Sequence, residues 1–230
     1  MLPVAILMGG YGTRLGPVAE KIPKALVDIN GQPFLVRQLK LLASQGFRRA
    51  VLCVGHLGEM IEKEVGDGAR LGVQVEYSRD GERLRGTAGA LRNALGKLGE
   101  AFFVIYGDSY LECDMAAVQA SFEASGKSGL MTVYRNDGLL DSSNVEYAAG
   151  RIEAYDKKRR TPAMQHIDYG AGVFKKSVFE ALNPEQPCDL ESVYQSLLAR
   201  GELAAFESLR RFYEVGSPQG LEEMRRRLKA

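Results

Sequence analysis

The chain has 230 residues, 45% of them hydrophobic and 26% charged, with 30 basic side chains against 29 acidic ones. A net charge of +1 excludes a nucleic-acid binder that works by neutralising many phosphates, and no apolar run approaches the roughly 20 residues of a membrane span. This length suits one soluble α/β domain with a sizeable core. Residues 2–8 enter a strand at once, without a basic n-region or small-residue cleavage site, so no secretory leader is expected. Three cysteines, Cys53, Cys113 and Cys188, form no C-x-x-C pair and favour reduced thiols in the cytoplasm, with Cys53 in the core. With only two histidines, His56 and His166, a histidine-rich metal site is excluded, and both are expected in loops.

The apolar run 2–8 has no helical period and suits a buried parallel strand. It ends in Gly9-Gly10-Tyr11-Gly12-Thr13-Arg14-Leu15-Gly16-Pro17, with Lys24 seven residues on. Glycines at a strand's carboxyl end let backbone N–H groups point into one concavity, which makes a phosphate cradle. A Walker A loop requires Gly-Lys-Ser/Thr where Arg14-Leu15-Gly16-Pro17 stands, and is excluded. Gly10, Gly12 and Gly16 approach a dinucleotide fingerprint, but that fold needs a helix at once. Pro17 and Pro23 fall in its first turns, where proline costs about 3 kcal/mol. An ordinary glycine turn is the remaining alternative, and it leaves Arg14 and Lys24 without a purpose.

Residues 25–29 read as a short strand followed by an Asn30-Gly31 turn, and Phe34, Leu35, Gln38, Leu39 and Leu42, four of the five apolar, mark a helix stopped by Gly46. Strand 49–54, helix 58–65 and strand 73–77 follow. Thr87 is positioned to cap a helix whose inner face carries Ala90, Leu91, Ala94, Leu95 and Leu98. The most apolar strand, 101–106, ends in Gly107-Asp108, and Asp114 caps the next helix. Alternation of strand and helix predicts a parallel sheet with ligands at the strands' carboxyl ends. From residue 129 the pattern changes to short strands, 130–135, 144–147, 151–155 and 168–174, with a hairpin signal at Gly150-Arg151. A helix over 191–199 capped by Asp189, strands 203–206 and 212–215, and a helix opened by Pro218 complete the chain. The run Arg225, Arg226, Arg227 reads as a solvated helix end.

The run Gly9 to Leu15, G-G-x-G-T-R-L, together with Pro23-Lys24-Ala25-Leu26, resembles the signature of the sugar-1-phosphate nucleotidyltransferases. Among them the chain looks most like the guanylyltransferases of D-glycero-α-D-manno-heptose 1-phosphate, with mannose 1-phosphate enzymes and uridylyl- or thymidylyltransferases next. The resemblance implies a single Rossmann-like α/β domain with a mostly parallel central sheet, residues 1–128 holding the nucleotide and 129–230 forming a small mixed-sheet sugar lobe. It implies a nucleoside triphosphate and a sugar 1-phosphate as partners, with Mg²⁺ as cofactor. No β-helix extension follows, so a second activity is not expected. Monomer and homo-oligomer both stay open.

In such chemistry the sugar phosphate is already ionised, so cations and alignment matter more than a catalytic base. Arg14 would grip the triphosphate and Lys24 the α-phosphate, as the catalytic cations beside Asp108. Asp108 is the first magnesium ligand by this reading, or a helix cap by position alone. Glu214 stands where the family has a second aspartate ligand, or caps the Pro218 helix. The resemblance places the nucleotide against Met8, Gly9, Gly10, Gly12, Thr13 and Arg14 on one side and Gly86, Thr87 and Ala88 on the other. Sugar-phosphate contacts fall on Lys157, Asp168, Gly170 and Asn144, although Lys157 in its basic run also suits a solvated face and Asn144 a turn. Asp156 and Asp168 replace the family's usual residues. A nicotinamide oxidoreductase and a regulatory subunit that binds nucleotide without turnover are the alternatives from other classes.

Overall fold

The computed structural model describes residues 1–10, 22–81 and 85–229. Strand β1 (Val4–Met8) lies at the centre, paired in parallel with β4 (Arg49–Val54) on one side and β6 (Ala101–Tyr106) on the other. Its residues feed two cores, because successive side chains leave a strand on opposite faces. Val4 and Ile6 pack with Leu35, Leu39 and Phe103, whereas Ala5 and Leu7 pack with Leu91, Phe102 and Val104. Burial on both faces explains the unbroken apolar run.

Beyond β4 the parallel order continues to β5 (Gln74–Arg79). Gly9 and Gly10, the Gly55-His56 turn and Asp80 therefore follow three neighbouring strands at one end of the sheet. On the other side β6 meets the antiparallel strand β11 (His166–Lys175), which also pairs with β8 (Gly129–Arg135). Strand β12 (Leu203–Ser208) runs parallel to β8, and the hairpin of β9 (Val145–Ala148) and β10 (Arg151–Tyr155) joins β11 through His166. The second half is thus continuous with the central sheet. The hairpin signal was sound: Ala149 and Gly150 both take positive φ, 49° and 80°, as a tight two-residue turn requires.

Two-residue strands β2 (Asp28–Ile29) and β3 (Gln32–Pro33) form a ribbon that leads into helix α1 (Phe34–Ser44). The strand expected over residues 25–29 is shorter. Pro23 fixes its own φ, Leu26 N–H donates to the Pro23 carbonyl at 2.8 Å, and Lys24–Leu26 closes as a 3₁₀ turn. Lys24 consequently projects from a turn instead of a strand. The other helices are α2 (Gly58–Val65), α3 (Gly86–Ala94), α4 (Met115–Ser125), α5 (Ser177–Glu180), α6 (Leu190–Ala199) and α7 (Pro218–Arg227). A short ribbon of β7 (Ser109–Leu111) and β13 (Phe212–Glu214) holds α7 against α1.

Capping follows sequence in two cases and departs from it in a third. Asp114 accepts from Ala117 N–H at 3.0 Å, and Ser217 accepts from Gly220 N–H at 3.0 Å before Pro218. Thr87 and Asp189, however, do not cap their own helices. They exchange caps: the Thr87 hydroxyl accepts from Leu190 N–H at 2.7 Å, and the Asp189 carboxylate accepts from Thr87 N–H at 3.2 Å. Sequence spacing cannot reveal a cap supplied from 100 residues away. His166 likewise lies in β11, its ring 3.1 Å from Glu207, and is not a loop residue. The Arg225 to Arg227 run is partly engaged, since Arg227 forks onto Glu112 and Arg225 donates to the Asp28 carbonyl.

Cys53 and Cys113 are buried, and burial pushes each thiol up to about 12. Among the described residues, no helix is long and apolar enough to cross a membrane.

Candidate active site

A cavity of about 280 Å³ opens at the carboxyl ends of β6, β1, β4 and β5. Open parallel sheets place ligands there. Met8 ends β1 and Gly9 and Gly10 follow it, Gly86 and Thr87 start α3, and Lys24 and Asp108 close one end; all seven line it. Asp80, His56 and Asp189 line it as well. Asp108 follows β6 and Asp80 follows β5, three strand spacings apart, or about 14 Å. The cavity is therefore an elongated slot with a carboxylate at each end.

At the Asp108 end Lys24 Nζ donates to Asp108 Oδ2 at 2.9 Å. The turn carrying Asp108 is fixed through its backbone: Gly107 N–H donates to the Leu7 carbonyl, and the Asp108 carbonyl accepts from Val215 N–H, each at 2.9 Å. Glu214 stands nearby. A Cβ built on Gly216 would touch Glu214 Oε2, with Lys24 Nζ at 3.0 Å and Asp108 Oδ2 at 3.3 Å, so the three side chains converge where only glycine leaves room. Glu214 itself accepts from Gly216 N–H and from the Ser217 hydroxyl, bracing the turn before α7, whose cap is Ser217 and not Glu214.

Magnesium is commonly held by one or two carboxylates plus substrate phosphates. Among the described residues no group of three or more His, Cys, Asp or Glu side chains could hold a metal by itself. Asp108 fits the one-carboxylate pattern, because it faces the cavity and Lys24 occupies only one lone pair. Glu214 retains a free lone pair on each oxygen and fits as a second, outer carboxylate.

At the opposite end Asp80 is 5% exposed, yet its Oδ1 has no hydrogen-bond partner among the described residues. Burial raises its pKa, with Arg85 opposing that shift. Gly9 makes the space: a Cβ there would lie 2.9 Å from Asp80 Oδ2. Asp80 also borders a second cavity of about 350 Å³ beside α2. Sequence reasoning missed this residue. The available signal was an acid directly after a parallel strand, at the end where ligands bind.

Of the remaining expected residues, Ala88 is fully buried in the core, and its N–H donates to the Cys188 carbonyl at 2.9 Å. It supports α3 and does not line the cavity. Gly12, Thr13 and Arg14 lie outside the described residues. The other four gather into a second group that adjoins the cavity through Tyr106. Lys157 Nζ lies 5.7 Å from the Tyr106 ring centre, 5.9 Å from that of Tyr155 and 3.9 Å from Asp168 Oδ2. The Asp156 carboxylate accepts from Lys158 and Arg159 N–H groups, forming the turn that presents Lys157, and these donors hold its carboxyl below the usual range. Asn144 Oδ1 accepts from Asp168 N–H at 3.0 Å, so that oxygen is already engaged by backbone. Gly170, at φ +91°, sits where a Cβ would approach Ser109 Oγ at 3.2 Å, which joins this group to the Asp108 turn.

The Asp168 side chain is 4% exposed, and burial raises its pKa despite Lys157, Gly170 N–H and the Tyr155 hydroxyl. The folded chain thus holds this proton more tightly than the unfolded chain. As pH rises through the ordinary carboxylate range toward the folded value, the unfolded state releases the proton first and stability falls across that window. Asp168→Asn removes the titration. Its melting temperature relative to the parent is therefore expected to rise between pH 4 and pH 8 in thermal melts.

A largely parallel sheet with two glycines after its first strand, a lysine–aspartate pair and a cavity at its strands' carboxyl ends defines an α/β protein of the Rossmann-like class. The chain belongs to the Nucleotidyl transferase family, which it matches over residues 4–230. It is 30% identical over 220 residues to mannose-1-phosphate guanyltransferase beta-B of Xenopus laevis and 29% identical over 220 residues to mannose-1-phosphate guanylyltransferase of Mycobacterium tuberculosis. Each alignment covers 93% of this chain and 61% of the relative, so the chain spans about three fifths of their length. Among solved structures, HddC from Yersinia pseudotuberculosis superposes with a TM-score of 0.83 at 25% identity, covering 99% of this chain and 100% of that one. The same protein complexed with GMP-PN superposes equally well, with a TM-score of 0.83.

Proposed function

We propose that the protein is a sugar-1-phosphate guanylyltransferase that joins GTP to D-glycero-α-D-manno-heptose 1-phosphate, giving GDP-heptose and pyrophosphate. The observation that carries the choice of base is Asp80, a buried carboxylate that lines the cavity at the end away from Lys24 and Asp108. An ionised carboxylate only accepts hydrogen bonds. Guanine alone among the common bases offers two adjacent donors, N1–H and the 2-amino group, along its pairing edge. The likeness to HddC, which has been solved with GMP-PN, supports the same base.

The sugar phosphate oxygen attacks the α-phosphorus of GTP, one P–O bond forms, the α–β bridge breaks, and pyrophosphate leaves with the bonding pair. The nucleophile is already an anion, so no proton has to be removed. Lys24 neutralises charge at the α-phosphate, and Lys157, held against Tyr106 and Tyr155, receives the phosphate of the sugar. Magnesium, held by Asp108 with Glu214 behind it, would supply Lewis-acid neutralisation of the triphosphate. Residues 1–128 would hold the nucleotide and 129–230 the sugar, in either a monomer or a homo-oligomer.

Heptose is preferred on overall sequence resemblance and on the full-length match to HddC. Mannose 1-phosphate is the second reading, favoured by the 30% identical Xenopus relative. Pyrophosphate release with each of the four triphosphates, against manno-heptose, mannose and glucose 1-phosphates, tests both. Highest turnover with GTP and heptose phosphate is expected. Binding of GTP without release under every pairing would instead identify a regulatory subunit. Asp80→Asn, which replaces one acceptor by a donor, is expected to lower kcat/KM for GTP about tenfold while other triphosphates change less. An unchanged GTP preference would remove Asp80 from base reading.

A further inference from the structure

Gln38 lies on the core-facing side of α1, among Leu35, Leu39 and Leu42, and is 2% exposed. An apolar residue would continue that face. The amide instead reaches across to the loop after β6, where Nε2 donates to the carbonyls of Tyr106 at 3.0 Å and Ser109 at 2.6 Å. These carbonyls flank Gly107-Asp108. Both neighbours are acceptors, so the nitrogen has to face them, and Oε1 is left buried without a partner among the described residues. A local departure from good packing of this kind, in a helix otherwise made for the core, points to a task beyond stability.

We infer that Gln38 is a positioning residue for Asp108: one side-chain amide clasps the turn on both sides and sets where its carboxylate points. The inference rests on the nucleotidyl-transfer reading, in which that carboxylate faces metal and triphosphate. The chain carries its own control. Gln45, one heptad further along and just past the end of α1, clasps Leu111 and Cys113 carbonyls at 3.0 and 3.2 Å and likewise leaves Oε1 buried and, among the described residues, unpaired. It performs the same kind of bond at the far end of β7, three to five residues beyond Asp108.

Gln38→Met and Gln45→Met keep length and remove the donors. Mn²⁺ uptake by the protein with GTP, without sugar phosphate and beyond the uptake by the same GTP alone, is followed by electron paramagnetic resonance of the free ion, with thermal melting beside it. Gln38→Met is expected to weaken Mn²⁺ uptake at least tenfold and Gln45→Met less than twofold, while both lower the melting temperature. Turnover of Gln38→Met should recover at saturating magnesium. Equal Mn²⁺ affinities in the two variants would overturn the positioning role. A parent protein that takes up no Mn²⁺ with GTP would overturn the functional reading, and this inference with it. Should Gln38→Met fail to fold, Gln38→Ser leaves space for a water at the carbonyls, and the same two affinity outcomes decide.

Discussion

Asp108→Asn is expected to lower turnover about a thousandfold, or roughly 4 kcal/mol of transition-state stabilisation, while the protein stays folded. Asparagine has the shape of aspartate but not its charge, so the turn can persist. Its backbone is held by Leu7, Val215 and Gln38, none of which depends on the carboxylate. What disappears is, among the described residues, the acidic side chain that both faces the cavity and pairs with Lys24. Glu214 cannot substitute in place, because both its oxygens already brace the turn before α7. Pyrophosphate release titrated with magnesium, together with a melting curve, provides the check. Unaltered magnesium dependence with normal turnover would take Asp108 out of the site.

How far the sequence led depended on how local each interaction was. Strands β1, β4 and β6 were legible because burial on both faces leaves a continuous apolar run, and β4 and β6 end where that pattern ends. Parallel order followed from alternation with helices. Continuity of the second half with the same sheet was not legible, since β11 pairs with β6, β8 and β9 at separations that no short-range pattern records. The swapped caps of Thr87 and Asp189 fail for the same reason: the residue types were right, and the partner was across the fold.

The site shows the same division. Gly9, Gly10, Lys24 and Asp108 were found because glycine turns and charges at strand ends announce themselves, and the fold gathers them around one cavity. Asp80 went unseen because a lone acid before a glycine looks like any turn, and only three-dimensional burial against the cavity sets it apart. Gln38 was counted into a helix face on spacing alone. Ala88 was drawn toward the nucleotide by its motif, yet the motif's small side chain serves packing of α3 against β1 and β4.

Lys24→Ala is expected to reduce kcat/KM about a hundredfold, or some 2.7 kcal/mol. Its side chain is 17% exposed and that of Asp108 27%, so the pair is half-sheltered, and its loss should change folding stability by about 1 kcal/mol at most. The larger kinetic effect would come from the ammonium's second task, contact with the α-phosphate where charge accumulates. Lys24→Arg should not restore it, because a planar fork cannot reproduce a point charge set on a 3₁₀ turn between Pro23 and Ala25. The double variant with Asp108→Asn separates the two tasks. If Lys24 only neutralises Asp108, the double variant is no slower than Asp108→Asn alone; if it also meets phosphate directly, the losses compound toward their product. Compounding is the expected result, read from pyrophosphate release at saturating magnesium.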